Sequence, residues 1–277
     1  MRGDGRTEGR GIAFVGGGVM AEAMLAGILE AGIARPEEVA VGEPVEARRR
    51  HLTERHGVAA TDDNAAAVRD AHLVVLAVKP QDLPAVFRDL GGSLRRGQVV
   101  LSIVAGARLE TLARGLQHEA VVRVIPNTPA QIGQGMSVWT ATPQVSQAAR
   151  EEVAKVLRTL GEEQYVPEEK FIDMATAVSA SGPAYVFLFI EAMTDAGVYL
   201  GFPREVARKL VLQTVLGSAR LVQETGRHPA ELSNMVTSPG GTTAEALRAF
   251  EEGGLRATVL RAVDAAYRKS VALGGDR

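Results

Sequence analysis

Residues 12–15 form a short apolar run that breaks directly into Gly16-Gly17-Gly18, and a helical pattern starts at once behind it. Met20, Met24, Leu25 and Ile28 share one face of that helix, and Gly32 ends it. A strand that turns into a helix through consecutive glycines leaves few folds open. The alternation then recurs. Short apolar runs at 38–41, 72–78, 98–104 and 120–125 are separated by helical patterns such as 48–55 and 64–70. The run 72–78 is nearly all Leu and Val, as a strand buried on both faces reads, and Lys79-Pro80 stops it. Ala105-Gly106 and Pro126-Asn127-Thr128-Pro129 end the next two. Strands alternating with helices predict a parallel, doubly wound α/β sheet with helices on both faces.

Beyond Tyr165-Val166-Pro167 no strand pattern remains. Helices are predicted over 168–180, 184–200, 204–225, 229–235, 243–252 and 255–273, separated by Gly-Pro and Gly-Gly turns. The predicted organisation is a disordered extension at 1–10, a doubly wound α/β domain at 11–165 and an all-helical domain at 166–277. A length of 277 residues suits two domains, and 46% hydrophobic residues supply a sizeable core. A net charge of −2 offers no basic surface, so no nucleic-acid partner is expected. Cysteine is absent, which removes disulfides, thiolate metal sites and a cysteine nucleophile, and suits a reducing compartment. No run reaches 18 consecutive apolar residues and 1–10 lacks an apolar core, so neither a membrane span nor a secretory signal is expected. The expected location is the cytoplasm. The five histidines make no ligand spacing, so no metal is expected, and His51 and His56 are expected to be solvated.

Gly16-Gly17-Gly18-Val19-Met20-Ala21 fits G-x-G-x-x-A in the strand-to-helix setting that gives the pattern meaning. There the backbone can approach a pyrophosphate, and the helix N-terminus meets the anion with free N–H groups. An ordinary glycine-rich turn is the plainer alternative. Gly42-Glu43-Pro44 ends the second strand, with Arg48, Arg49 and Arg50 close behind. An acidic residue there favours the ribose 2′-OH of NAD, an arginine the 2′-phosphate of NADP. Glu43 therefore points to NAD, and the arginines are either a phosphate partner or a solvated face.

Ala77-Val78-Lys79-Pro80 and Ile103-Val104-Ala105-Gly106 end consecutive strands, where open α/β sheets bind ligands. Lys79, one of five lysines, is a candidate acid, anion partner or plain surface residue. Ser179-Ala180-Ser181-Gly182-Pro183-Ala184-Tyr185 is a polar turn before the most apolar helix, with Ser181 as the expected cap. In Val236-Thr237-Ser238-Pro239-Gly240-Gly241-Thr242-Thr243, paired glycines between hydroxyls open a helix. That is either a carboxylate-binding nest or a capped turn.

Taken together, these segments resemble the pyrroline-5-carboxylate reductases, over residues 11–273. The most specific pieces are 236–243 (VTSPGGTT) and 179–185 (SASGPAY), supported by 77–80 (AVKP) and Asn127-Thr128-Pro129. The resemblance implies a Rossmann-type domain for NADPH or NADH, which reduces 1-pyrroline-5-carboxylate, a cyclic imino acid, to L-proline. It implies Val15, Gly16, Gly17, Gly18, Val19 and Met20 around the pyrophosphate, and Ala77, Val78, Lys79 and Pro80 on the nicotinamide side. Ile103, Ala105, Glu43 and Asn64 complete the implied cofactor set. Ser181, Ser238, Gly240, Gly241, Thr242 and Thr243 are the implied substrate-binding residues, with the Thr243 hydroxyl, the implied catalytic group, aimed at the imine nitrogen. The helical domain would pair two subunits into a homodimer, and such dimers into a decamer of dimers. A 2-hydroxyacid-type dehydrogenase would carry a lysine soon after Gly182, and 184–190 has none. A non-catalytic dinucleotide-binding protein would leave 236–243 with nothing to hold.

Overall fold

The computed structural model describes residues 11–275; the extension expected at 1–10 lies outside them. The strands are β1 Gly11–Val15, β2 Val39–Gly42, β3 Ala59–Thr61, β4 Ala71–Leu76, β5 Val99–Ser102, β6 Val121–Pro126, β7 Gly135–Ala141 and β8 Gly161–Tyr165. The α-helices are α1 Val19–Glu30, α2 Glu46–His56, α3 Asn64–Val68, α4 Leu83–Leu90, α5 Leu109–Leu116, α6 Gln147–Arg158, α7 Lys170–Ala175, α8 Gly182–Tyr199, α9 Arg204–Thr225, α10 Pro229–Met235, α11 Thr242–Glu252 and α12 Leu255–Gly275. They form two compact units. One runs to Ala180 and includes the chain from Tyr267 onward; the other is Ser181–Ala266.

The first unit holds one sheet in the order β3-β2-β1-β4-β5-β6-β7-β8. Successive residues of its central strands face opposite cores. Ile12, Phe14, Leu73 and Val75 pack with Met24, Leu25 and Ile28 on one side. Ala13, Val15, Val74 and Leu76 pack with Leu90, Leu112 and Leu116 on the other. Burial on both faces explains the unbroken Leu/Val pattern of β4.

Three strands lacked a sequence signal, and one pairing departs from the expected parallel sheet. β6 and β7 are antiparallel, joined through a tight 3₁₀ turn at Thr128–Ile132. The edge strands β3 and β8 are too short or too polar to show apolar periodicity; β8 reads Gly-Glu-Glu-Gln-Tyr.

The units divide at Ala180, later than the expected join at 165. The cause is a buried charge network. The Arg123 side chain is only 4% exposed and ion-pairs with Glu169 at 2.8 Å and Asp173 at 3.3 Å. Ser270 Oγ on α12 donates to Asp173 Oδ1 at 3.0 Å. These bonds hold α7 and the end of α12 to β6.

The helix expected over 168–180 is α-helical at Lys170–Ala175 and closes in a π-helical turn, Thr176–Ala180, and the break expected at Ser181-Gly182-Pro183 is absent. Ser181 then sits at the N-cap position with helical backbone angles and makes no side-chain cap bond. Its expected capping role is corrected: the residues before it are already helical, so α8 has no free first turn to cap. Lys170–Tyr199 is consequently one helical stretch of 30 residues, long and apolar enough by length and composition to cross a membrane. Absence of 18 consecutive apolar residues therefore does not by itself exclude a span. Only 17% of its most apolar window is buried.

In the second unit α8 packs on α9, where a Cβ at Gly197 would come within 2.9 Å of Ala207. The buried residues of this unit are Thr194, Ala207 and Val211. Phe187, Leu188, Leu210, Leu216 and Leu260 are exposed.

His72 on β4 contacts Glu152 on α6 at 2.5 Å. That hydrogen bond outweighs burial and holds the imidazole pKa above its ordinary 6.5. A raised folded-state pKa adds stability that is complete below the unfolded value and is lost as pH rises through the folded one. Urea midpoints of the wild type should therefore fall as pH rises from 6.5, and Glu152→Gln should flatten that slope. An unchanged slope in the variant would remove the pair from the account.

Candidate active site

A cleft of roughly 590 Å³ opens at the carboxyl ends of β1, β2, β3 and β4. The chain winds outward from β1 to β3 and returns to place β4 on the other flank of β1. Ligands of open α/β sheets bind at such a reversal. The lining includes Gly16 and Gly18 after β1, Gly42, Glu43, Pro44 and Val45 after β2, Asp62 and Asn64 after β3, and Ala77, Val78 and Lys79 after β4.

The loop after β1 runs against its neighbours. Gly16 N–H donates to Gly42 O at 2.7 Å, and Ala77 N–H donates to Val15 O at 2.8 Å. Gly16 has φ +94, and a Cβ there would lie 2.7 Å from Ala77 O. A Cβ at Gly17 would lie 2.7 Å from Leu52 Cδ1. Only glycine fits at Gly16, where the clash is with backbone at a left-handed φ, whereas a Cβ at Gly17 would press on the end of the Leu52 side chain; the start of α1 beside the loop suits a ligand's phosphates. These residues fit a dinucleotide.

The structure brings Gly16, Gly18, Glu43, Asn64, Ala77, Val78 and Lys79 of the expected cofactor set to this cleft. Asn64 donates to Asp89 Oδ2 at 2.9 Å and packs on Gly42. Gly17 turns its N–H inward, and Val15 is buried within the sheet. Val19 and Met20 lie in the first turn of α1 without lining the cleft. Pro80 and Ala105 line a separate hollow of about 220 Å³ with Val104, Leu273 and Gly274; Ile103 is half-buried at the end of β5. Sequence reasoning missed Asp62, Gln81, Asp82, Ala85 and Asp89, which also line the cleft. Asp62, Gln81 and Asp82 follow β3 and β4 closely, whereas Ala85 and Asp89 lie on α4 and carry no such signal.

Glu43 lines the cleft as expected, and two of the arginines behind it are tied to loop carbonyls. The Glu43 carboxylate accepts from Gly17 N–H at 2.8 Å and Val45 N–H at 3.0 Å. Arg48 and Arg49 are not a solvated face. Arg48 Nε donates to Gly17 O at 2.5 Å and its Nη2 to Glu22 Oε2 at 2.6 Å. Arg49 Nη1 donates to the Glu43 and Pro44 carbonyls, both at 2.8 Å. Arg50 alone is exposed, paired with Glu46. His51 and His56 are not free in solvent either: both meet Glu22 Oε1, at 2.9 and 3.0 Å. Burial raises the Glu22 pKa, but hydrogen bonds from His56, His51 and Arg48 outweigh it and hold the carboxyl at about 2.

In the second unit, Ser238-Pro239-Gly240-Gly241 forms a turn that starts α11. Gly240 has φ +68, Gly241 N–H donates to Ser238 O at 3.0 Å, and Gly241 is the N-cap. Thr242 and Thr243 are the first two helical residues; Thr243 is half-buried. The N–H groups of that first turn lack intrahelical partners by geometry.

A Rossmann-type nucleotide cleft joined to a helical unit defines an oxidoreductase of the NAD(P)H-dependent class. Family models match accordingly: "NADP oxidoreductase coenzyme F420-dependent" over residues 11–106 and "Pyrroline-5-carboxylate reductase dimerisation" over 169–273. The chain is 44% identical over 263 residues to the pyrroline-5-carboxylate reductase of Synechocystis, covering 95% of this chain and 98% of that one. It is 40% identical to the Escherichia coli protein of the same name, covering 94% and 96%. A solved pyrroline-5-carboxylate reductase from Coxiella burnetii superposes with a TM-score of 0.90 at 33% identity, covering 98% of this chain and 100% of that one. The Plasmodium falciparum pyrroline carboxylate reductase, solved with NADP bound, superposes with a TM-score of 0.86 at 32% identity, covering 97% and 100%. The chain belongs to the pyrroline-5-carboxylate reductases.

Gly16→Ala places a methyl against the Ala77 carbonyl at a left-handed φ, a strain of about 1–3 kcal/mol. Fluorescence titration should show NADH affinity falling and thermal unfolding should begin earlier. Unchanged affinity would mean the loop does not face the cofactor.

Proposed function

We propose that the protein reduces 1-pyrroline-5-carboxylate to L-proline with NADH or NADPH, the last step of proline biosynthesis. The observation that carries this reading is the Ser238–Gly241 turn opening α11, in a chain of this family with a dinucleotide cleft. The N–H groups at the start of α11 take the substrate carboxylate, as a helix N-terminus favours an anion. The Thr243 hydroxyl meets the imine nitrogen: it accepts from a protonated nitrogen or donates to a neutral one. When bound, the reduced nicotinamide supplies the hydride for the carbon of the C=N bond. A protonated imine needs no strong protein base, so orientation and water exclusion are the chain's main tasks. Proximity can contribute roughly 7–11 kcal/mol to such a step.

The same proposal extends to assembly and location. The exposed apolar helices of the second unit pair with those of a second copy, giving a homodimer and larger rings of dimers. The cytoplasm is the location this reading carries. Light scattering at assay concentration should return the mass of a dimer or a multiple of it. A fully active monomer would contradict the pairing.

Thr243→Val keeps the shape and removes the hydroxyl. Loss of a hydrogen bond to a charged group is worth about 1.5–3 kcal/mol, so kcat/KM for the imine should fall about ten- to 150-fold. Dinucleotide Kd should stay near wild type. A kcat/KM within about twofold of wild type would remove Thr243 from the site.

A further inference from the structure

We infer that Glu43 and Arg48 are positioning residues that grip the phosphate-facing loop from behind, and that Glu43 does not read the ribose 2′ position. The inference rests on the cleft being the NAD(P)H site. Gly17 N–H belongs to the peptide before it and Gly17 C=O to the peptide after it. Glu43 Oε2 takes the first at 2.8 Å and Arg48 Nε takes the second at 2.5 Å. Gly42 O takes the Gly16 N–H one peptide earlier. Three successive peptide planes of the loop are thereby fixed.

The direction of the grip matters. In a trans peptide the C=O and the next N–H point oppositely. Drawing Gly17 C=O toward Arg48 turns Gly18 N–H away from it, and Gly18 lines the cleft while Gly17 does not. Arg48 thus presents an N–H for an anion without touching the anion itself.

Both clamp residues are held in turn. Glu43 is 9% exposed, its second oxygen bonds Val45 N–H, and Arg49 grips its own carbonyl. Arg48 is tied at 2.6 Å to Glu22, whose other oxygen meets His51 and His56. A carboxylate with both oxygens bound to backbone N–H groups is poorly placed to discriminate a ribose hydroxyl from a phosphate.

Calorimetric titration of the whole protein with NADH and with NADPH, without imine, tests this. Glu43→Ala and Arg48→Met should each weaken both cofactors by about ten- to a hundredfold, by equal factors within about twofold. Glu43→Gln keeps one accepting oxygen and should recover part of the loss. A shift of more than about fivefold in the NADH-to-NADPH ratio on changing Glu43 would make it a ribose reader and overturn the inference. So would affinities for both cofactors within about twofold of wild type. Should Glu43→Ala fail to fold by circular dichroism, Arg48→Met decides by the same two criteria. A wild type that binds neither cofactor would overturn the inference and the cleft together. Tight binding without imine reduction would count against the proposed reaction alone.

Discussion

The close run of the loop after β1 against β4 and α2 is the constraint on which the rest depends. Gly16 cannot carry a side chain because the Ala77 carbonyl stands 2.7 Å from where it would begin. A side chain at Gly17 would have to displace the end of Leu52. That closeness follows from β1 lying between β2 and β4, with Val15 and Gly16 bonded to both neighbours. The missing side chains let the loop run against β4 and α2, and Gly16 and Gly18 line the cleft at that point.

The two units handle apolar surface differently. The sheet is closed in by helices on both faces, and its central strands are almost wholly buried. The helical unit buries little of its own apolar surface: Leu188 and Phe189 on α8 and Phe250 and Val259 opposite line a groove of about 490 Å³. Apolar area left in water at this scale marks an interaction surface. The matched dimerisation model covers the same residues. The pairing proposed above would cover the long apolar stretch at Lys170–Tyr199, which carries Glu191 and Asp195 within it.

The sequence announced the fold where burial is two-sided. The Leu/Val run of β4 and the helix face of Met24, Leu25 and Ile28 read directly, because core contact demands those residue types. It was silent at the polar edge strand β8 and the antiparallel β7, where pairing and not composition makes the strand. The glycine loop was legible from spacing, and Asn64 from the family resemblance alone. The partners of Glu43 were not: a carboxylate after β2 looks the same in sequence whether it faces a ribose or Gly17 N–H. Likewise His51 and His56 look solvated until Glu22, 29 and 34 residues away, is brought beside them. Long-range polar pairing leaves no periodic trace.

The most direct test of the central claim follows the hydride. The protein would be given 1-pyrroline-5-carboxylate with NADH, and separately with NADPH, each carrying deuterium at both nicotinamide C4 positions, and the product analysed by mass spectrometry. Proline bearing one deuterium at the former imine carbon is the predicted result. Unlabelled proline from both labelled cofactors, or no proline while either cofactor is bound, would contradict the account.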